Sequence, residues 1–388
     1  ALTIFETNTR DIILSVTESE DRPIYEVEWS PNGEYILAGN QFEEILVYDV
    51  TTLVSSSTIS LVDTLTTDFG TTNDLIADLE FSPDSSMVAV TIAKETLSND
   101  NDGGLVILDS TDWSEIGRYN PSNKDNNYDS VDWSPDGNIL ALGGAGEVFL
   151  LDPNNGFNEI RAPLAITSTD FPRVNGLSWS PDGNMLAICD QYESTSVGHS
   201  VYLYDTISWT KEWDQQLSTS CLDVEFSPDS RQVAAAAFWY GVDGDSVKVF
   251  NALSGSIVDI MSGNSGDEST PDPSVFDIAW SPNGINFVVA HGYEDVRLSF
   301  WEGDDDPDND GWPTIDRGNG DVDAFPLDGT QWTDSDGDGF GDNPPPANNF
   351  DNCIDVVGNS TEDRNGCPDS DGDGYSDSDL DWNETNGA

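Results

Sequence analysis

Three short acidic loops near the end of the chain carry the clearest chemistry. They are Asp306-Pro307-Asp308-Asn309-Asp310-Gly311, Asp334-Ser335-Asp336-Gly337-Asp338-Gly339 and Asp369-Ser370-Asp371-Gly372-Asp373-Gly374. Each sets carboxylates at positions 1, 3 and 5 and glycine at position 6. Alternate side chains in a tight loop turn their oxygens inward, and the glycine permits the turn that closes the cage. Such a cage suits a hard cation that takes six to eight oxygen ligands, so calcium is the expected cofactor. One loop of this kind is a modest signal, whereas three in one short segment are specific.

The loops must be held by a chain of 388 residues with 74 acidic and 13 basic side chains, a formal charge of −61. Residues 302–388 hold 25 acids and two arginines, and residues 1–301 hold 49 acids and 11 bases. The acidity therefore belongs to both parts. It argues against nucleic-acid binding, which needs a basic footprint, and against attachment to anionic lipid. A heavily acidic surface suits salty water, where screening weakens self-repulsion. No run of 18 apolar residues is present, so no membrane insertion is expected from this stretch. Ala1 opens directly on a strand-like segment, which points to a processed N-terminus. Cysteines fall as two pairs, Cys189 with Cys221 and Cys353 with Cys367. An even count beside calcium loops fits an oxidising compartment, with both pairs expected as disulfides. Asn359-Ser360-Thr361 and Asn383-Glu384-Thr385 are glycosylation sequons.

Residues 1–301 are organised by a repeat. Six segments share one pattern: VEWSPNGEYILAG (27–39), LEFSPDSSMVAVT (79–91), VDWSPDGNILALG (131–143), LSWSPDGNMLAIC (177–189), VEFSPDSRQVAAA (224–236) and IAWSPNGINFVVA (278–290). Their prolines Pro31, Pro83, Pro135, Pro181, Pro228 and Pro282 recur every 46 to 54 residues. Alternating apolar residues before the motif predict an inner strand. Proline presets φ and the Asx-Gly pair accepts the turn, so Ser-Pro-Asp/Asn-Gly predicts a tight turn into a second strand. Third strands follow at Ile45–Asp49, Leu105–Asp109, Val148–Asp152, Val201–Asp205 and Val247–Asn251, then weaker fourth strands such as Ser256–Met261. A period of this length with several short strands per unit predicts an all-β fold, a β-propeller.

This part resembles WD40 repeats of the prokaryotic, TolB-like kind, with Leu/Tyr-Asp endings where that family often has Trp-Asp. The family's Gly-His dipeptide is missing, so its hydrogen-bonded tetrad is not carried over. The resemblance covers residues 1–301 and implies fold, not ligand. Six blades are expected, with seven as the alternative. Asp11–Val16 is expected to close the last blade as its fourth strand. Leu2–Glu6 is then surplus, or the N-terminus is half of a seventh blade.

The tail, 302–388, adds Asn319–Pro326, Asp328–Trp332, Asn348–Cys353 and Cys367-Pro368-Asp369 between its acidic loops. It resembles thrombospondin type 3 repeats, which wrap little apolar core around lines of calcium ions, often with a disulfide. The resemblance implies Asp306, Asp308, Asp310, Asp334, Asp336, Asp338, Asp342, Asp369, Asp371, Asp373 and Asp377 as ligands, with Asp316, Asp321, Asp323, Asp379 and Asp381 as weaker candidates. The first loop departs from the pattern through Trp312-Pro313. Without metal a segment this acidic and this poor in apolar residues is expected to stay unfolded.

A search for catalytic residues gives nothing specific. The only histidines, His199 and His291, lie in different repeats, and neither G-x-S-x-G nor H-E-x-x-H occurs. A glycosidase-type carboxylate pair could hide among so many acids, but nothing marks one out. Asp100–Gly103 and Asp243–Asp245 read as solvated loops with calcium as the alternative. Trp29, Trp133, Trp179 and Trp280 occupy a repeat position and are expected in the core. Trp113, Trp209, Trp213 and Trp239 are expected nearer the surface, as edge packing or as stacking platforms.

These readings converge on a non-enzymatic, calcium-stabilised structural or adhesive protein, secreted or on the cell surface. Self-assembly into a filament or surface layer is one expected mode. Expected partners are further copies, other surface proteins or glycans. The alternative is an extracellular glycan- or ligand-binding propeller, less readily a hydrolytic one, on a calcium-stiffened stalk.

Overall fold

The computed structural model describes residues 2–5, 11–16, 23–66, 74–94, 103–120, 128–144, 146–166, 173–191, 199–217, 220–237, 245–262, 275–282, 284, 286–291, 297–302, 323–325, 328–370 and 374–377. The chain divides into two compact units, Ala1–Trp301 and Glu302–Ala388.

Six antiparallel sheets form a six-blade β-propeller in the first unit. Blade 1 comprises Ile24–Trp29, Tyr35–Asn40, Glu44–Asp49 and Ser60–Thr66. Blade 2 comprises Asp74–Phe81, Met87–Lys94, Gly104–Asp109 and Glu115–Tyr119. Blade 3 has Tyr128–Trp133, Leu140–Gly144 and Glu147–Asp152, with an outer strand split into Asn158–Glu159 and Leu164–Ala165. Blade 4 runs Arg173–Trp179, Met185–Gln191, His199–Asp205 and Lys211–Leu217. Blade 5 runs Cys221–Phe226, Gln232–Ala237, Asp245–Asn251 and Ile257–Ser262. Blade 6 has three strands among the described residues, Val275–Trp280, Asn286–His291 and Arg297–Glu302.

Two local devices recur among the blades. In the turn between first and second strands the serine is a buried node. Ser134 Oγ donates to Asp136 Oδ1 at 2.7 Å and accepts from the Ile139 amide at 2.9 Å. Ser82, Ser180 and Ser227 repeat both bonds. The fourth turn position takes positive φ, with glycine at Gly137 (69°) and Gly183 (76°) but serine at Ser85 (60°) and Ser230 (64°). In blades 1 to 4 the Asp that ends the third strand caps the next turn. Asp49, Asp109 and Asp152 each accept from the amide two residues on, the Asx-turn geometry expected of such residues.

Packing between blades follows a strict alternation. Ala89, Leu105 and Ile107 of blade 2 pack on Val131, Trp133, Leu140 and Leu142 of blade 3. Ala141, Val148 and Leu150 of blade 3 pack on Leu177, Trp179, Leu186 and Ile188 of blade 4. The same contact joins blades 1 and 2, 4 and 5, and 5 and 6. Gly176 permits close approach between blades 4 and 5, since a Cβ there would lie 2.8 Å from the Val224 amide nitrogen. Cys189 and Cys221, on facing strands of these two blades, form a disulfide with Cα atoms 5.6 Å apart.

The N-terminal strands differ from expectation. β1 (Leu2–Phe5) pairs with β2 (Ile12–Val16) in a separate two-stranded sheet. So β2 does not complete blade 6 in the described pairing, and β1 is not surplus. Leu2 and Ile4 are buried against Ile36, Ala38, Leu46 and Tyr48 of blade 1. A second correction concerns Trp29. Trp133 and Trp179 are core residues, but Trp29 is 44% exposed because, among the described residues, no blade packs on that side of its strand. Trp113, Trp209 and Trp213 prove to be packing residues. Trp113 meets Tyr35 edge-on at 5.2 Å, Trp209 meets Trp179 at 5.9 Å, and Trp213 donates to the Ala252 carbonyl at 2.7 Å. Trp239, Asp100–Asp102, Asp243 and Gly244 lie outside the described residues.

Ser134→Ala removes the node of one turn and leaves the buried Ile139 amide without its side-chain acceptor. The expected loss is about 1–2 kcal/mol, the usual cost of such a vacancy. Urea unfolding should show a lower midpoint at unchanged slope.

Candidate metal centre

In the second unit two of the three acidic loops fall among the described residues, and they share one backbone design. At Asp334–Asp342, Asp334 accepts from the amides of Gly337 (2.8 Å) and Gly339 (2.9 Å), and Ser335 donates through amide and hydroxyl to Asp342. At Asp369–Asp377, Asp369 accepts from the Gly374 amide (2.8 Å), and Ser370 donates through amide and hydroxyl to Asp377. Gly339 and Gly374 take φ of 90° and 91°, which only glycine adopts cheaply. The serine between the first two acids thus orients the acid at position 9 of each loop.

The structure brings Asp334, Asp336 and Asp338 together, with one ligand oxygen of each within 4.8 Å of the others. Asp342 joins the periphery through its serine bonds. Asp369 and Asp377 occupy the matching places in the last loop, whose Asp371 and Asp373 lie outside the described residues. So do Asp306, Asp308 and Asp310 of the first loop, and Asp316, Asp321, Asp379 and Asp381. Asp323 is buried and accepts from the Phe325 amide at 2.7 Å.

Asp351 was missed by the motif search because it belongs to no D-x-D-x-D-G run. It stands in Asn348–Cys353, whose signal is an acid two residues before a disulfide cysteine. Its carboxylate accepts from the Cys353 amide at 2.6 Å, and it shares the Gly366 backbone as neighbour with Asp338. Cys353 and Cys367 form a disulfide with Cα atoms 5.1 Å apart, which ties this segment beside the loop.

The electrostatics of this cluster are unfavourable as the protein stands. Burial first, then the charges of Asp338, Asp336 and Asp342, push Asp351 above its ordinary value. Burial and the charges of Asp338 and Asp334 do the same to Asp336. Oδ2 of Asp336 and Oδ2 of Asp351 are buried without a hydrogen-bond donor. Converging carboxylates that lack donors suit a divalent cation, which supplies the missing positive charge. All-oxygen donors select a hard ion such as calcium over zinc or copper.

A second acidic assembly lines the propeller axis, around a cavity of about 740 Å³. Here the acids act as links between blades. Asp78 of blade 2 accepts from the Val131 amide of blade 3 at 2.7 Å, and Asp132 of blade 3 accepts from the Trp179 amide of blade 4. Asp223 and Glu225 of blade 5 accept from the Ile278 and Trp280 amides of blade 6. Ser178 takes the equivalent place toward Phe226. Burial pushes Asp78 up to about 7, Asp132 up to about 8 and Glu28 up to about 8, with like charges adding to the shift. Glu26, Glu80, Asp223 and Glu225 are also well above their ordinary values, from burial first and neighbouring acids second. Asp129 differs in having a cation, Arg173, at 2.8 Å.

Comparison with known proteins supports the fold. Residues 164–205 match the WD40 family, described as "WD domain, G-beta repeat". The match starts in the outer strand of blade 3 and ends at Tyr204-Asp205, the close of the third strand of blade 4. A solved structure described as "Crystal Structure of Mitotic Checkpoint Complex" is similar with a TM-score of 0.58 and 17% identity, over 78% of this chain and 81% of that one. Among curated proteins, none matches the chain in sequence.

A carboxylate whose folded pKa is raised favours the folded state while protonated. Its contribution is fully present below about pH 4 and is lost as pH rises through about 7 to 8, the range of Asp78, Glu28 and Asp132. With chelator present, urea stability of the propeller should therefore be higher at pH 5.5 than at pH 8.5. Asp132→Asn keeps an acceptor for the Trp179 amide and should flatten this slope.

Proposed function

We propose that the chain is a secreted or cell-surface structural or adhesive protein, in which calcium folds unit Glu302–Ala388 and the propeller is a rigid platform for partners. The observation that carries this reading is the pair of buried, donor-less oxygens on Asp336 and Asp351 beside Asp334, Asp338 and Asp342. Asp334, Asp336, Asp338, Asp342 and Asp351 would hold one calcium, and Asp369 and Asp377, with Asp371 and Asp373, a second. The tail is then of thrombospondin type 3 kind, and binding is folding. At free calcium about a hundredfold above Kd, one site contributes about 2.7 kcal/mol.

Two disulfides and a calcium-dependent fold suit an oxidising, calcium-rich compartment outside the cell. Fitting partners are further copies of the chain, other surface proteins or glycans. The similar propeller of low identity belongs, by its description, to a protein complex, and a propeller used as a protein-binding platform is consistent with that. The glycan-binding alternative has less support. Of the four tryptophans that could stack on sugars, Trp113, Trp209 and Trp213 are engaged in packing, and Trp239 lies outside the described residues. A filament built by docking Leu2–Glu6 on a neighbouring copy also loses its motive, since Leu2 and Ile4 are buried within their own chain.

Calorimetric titration of the chelator-treated chain with CaCl2 should show saturable binding, absent with MgCl2 at the same concentration. Asp336→Asn and Asp351→Asn should each weaken it at least tenfold. Chelator should render residues 302–388 protease-sensitive while 1–301 stays intact. Heat-free titration and a calcium-indifferent digestion pattern would show the reading wrong.

A further inference from the structure

The six blades leave one place in the propeller unfilled. Every blade interface buries the same positions. On the receiving blade they are two first-strand residues, such as Val131 and Trp133, Leu177 and Trp179, or Val224 and Phe226. On the preceding blade they are second-strand residues such as Ala89, Ala141, Ala187 or Ala234 with third-strand residues such as Val148 and Leu150. Among the described residues this contact is missing between blade 6 and blade 1. Val27 and Trp29, the first-strand pair of blade 1, are 46% and 44% exposed, against 3% for both Val131 and Trp133. On blade 6, Val288 and Ala290 stand where Ala234 and Ala236 are fully buried, yet both are only half-buried. Leu298, the third-strand counterpart of Val247, is 43% exposed.

The β1–β2 sheet occupies only the outer part of this place. Leu2 and Ile4 cover Ile36, Ala38, Leu46 and Tyr48 of blade 1, as Val148 and Leu150 cover the corresponding positions of blade 4. That identifies β1 as a third strand and β2 as a fourth. β1 pairs with β2 on one edge, and among the described residues no strand lies on its other edge. A sheet edge of this kind is a template for strand addition.

We infer that this place is an acceptor site for a β-hairpin that supplies the first and second strands of a seventh blade. The five complete interfaces define the occupant's chemistry. It is a two-stranded antiparallel hairpin with the turn Ser-Pro-Asp/Asn-Gly. An aliphatic residue and a Trp or Phe, two apart on its first strand, face Val288, Ala290 and Leu298 of blade 6. Small residues on its second strand face Val27 and Trp29. Its second strand extends the β1–β2 sheet through main-chain hydrogen bonds, as second strands pair with third strands throughout the propeller. Continuity with five interfaces of the same design favours a hairpin over any other apolar guest. A second copy of the folded chain is disfavoured, because its own hairpins are already built into its blades.

The probe is a hairpin of known fit, the segment Tyr128–Gly146 of blade 3, fused directly ahead of Ala1 of the full chain. Hydrogen exchange read by mass spectrometry should slow at least tenfold at Leu2–Phe5 and Ile24–Trp29. The same fusion with Asp in place of the inserted copy of Trp133 should exchange like the unfused protein, and Trp29→Asp should abolish the protection. In the unfused chain, Trp29→Asp should leave the urea midpoint nearly unchanged while Trp179→Asp lowers it strongly. Three results would overturn the inference. One is equal exchange in both fusions. Another is a Trp29→Asp loss as large as that of Trp179→Asp, which would mean that this side chain is already covered. The third is a concentration-dependent dimer, seen by sedimentation, that dissociates on Trp29→Asp and so places a second copy in the site.

Discussion

A blade of this propeller has no interior of its own, and everything else in the first unit follows from that. Each four-stranded sheet is one layer thick, so both faces must be buried on its neighbours. The solution is asymmetric. One face presents aliphatic residues such as Ala141, Val148 and Leu150, and the other adds an aromatic ring to them, as in Leu177, Trp179 and Ile188. Adjacent sheets approach closely, and at Gly176, where a Cβ would lie 2.8 Å from the Val224 amide nitrogen, a methyl group would not fit. The arrangement holds only if every face has a partner. Among the described residues the facing sides of blades 6 and 1 lack that cover, and the exposure of Val27 and Trp29 is the visible result.

The second unit meets the opposite constraint. It has almost no apolar side chains to bury, and its few contacts are backbone turns, a disulfide and carboxylates. Its order rests on oxygen atoms that converge where no donor reaches them. The serine that follows the first acid of each loop, Ser335 or Ser370, fixes the ninth residue through its hydroxyl. Preorganisation of this kind lowers the cost of gathering like charges, but does not remove it.

Much of this was legible in the sequence, because it is repetitive. Six Ser-Pro motifs at regular spacing announced the first and second strands, and Asp endings marked the third. The serine's role as turn node was hidden, since proline and glycine explain the turn equally well on paper. The function of the axial acids was hidden for a different reason. Asp78, Asp132 and Asp223 are spaced like any surface acid on an alternating strand, and only the ring turns that face inward and sets each against the next blade's amide. The N-terminal strands were misassigned because pairing partners are not encoded by periodicity. Ile12–Val16 fits any open sheet edge, and its short loop to Leu2–Phe5 decides the matter locally. Asp351 escaped because ligands that come from outside a loop leave no mark on the loop's own pattern.

The acidity of the chain then divides into classes that composition alone cannot separate. Asp84 and Asp136 are held below the ordinary carboxylate range by the hydroxyls of Ser86 and Ser134, and the turn amides add to this. Their charge is balanced by fixed donors, so they belong to the fold. The axial acids accept amide bonds but face one another, and burial wins over those bonds, so their protonation is tied to the ring's stability. Asp336, half-buried, and Asp351, buried, form a third class, mutually repelling and each with one buried oxygen that no donor reaches. This last class combines converging carboxylates with buried oxygens that no donor reaches, so the candidate metal centre lies there and not among the far larger group of acids around the axis.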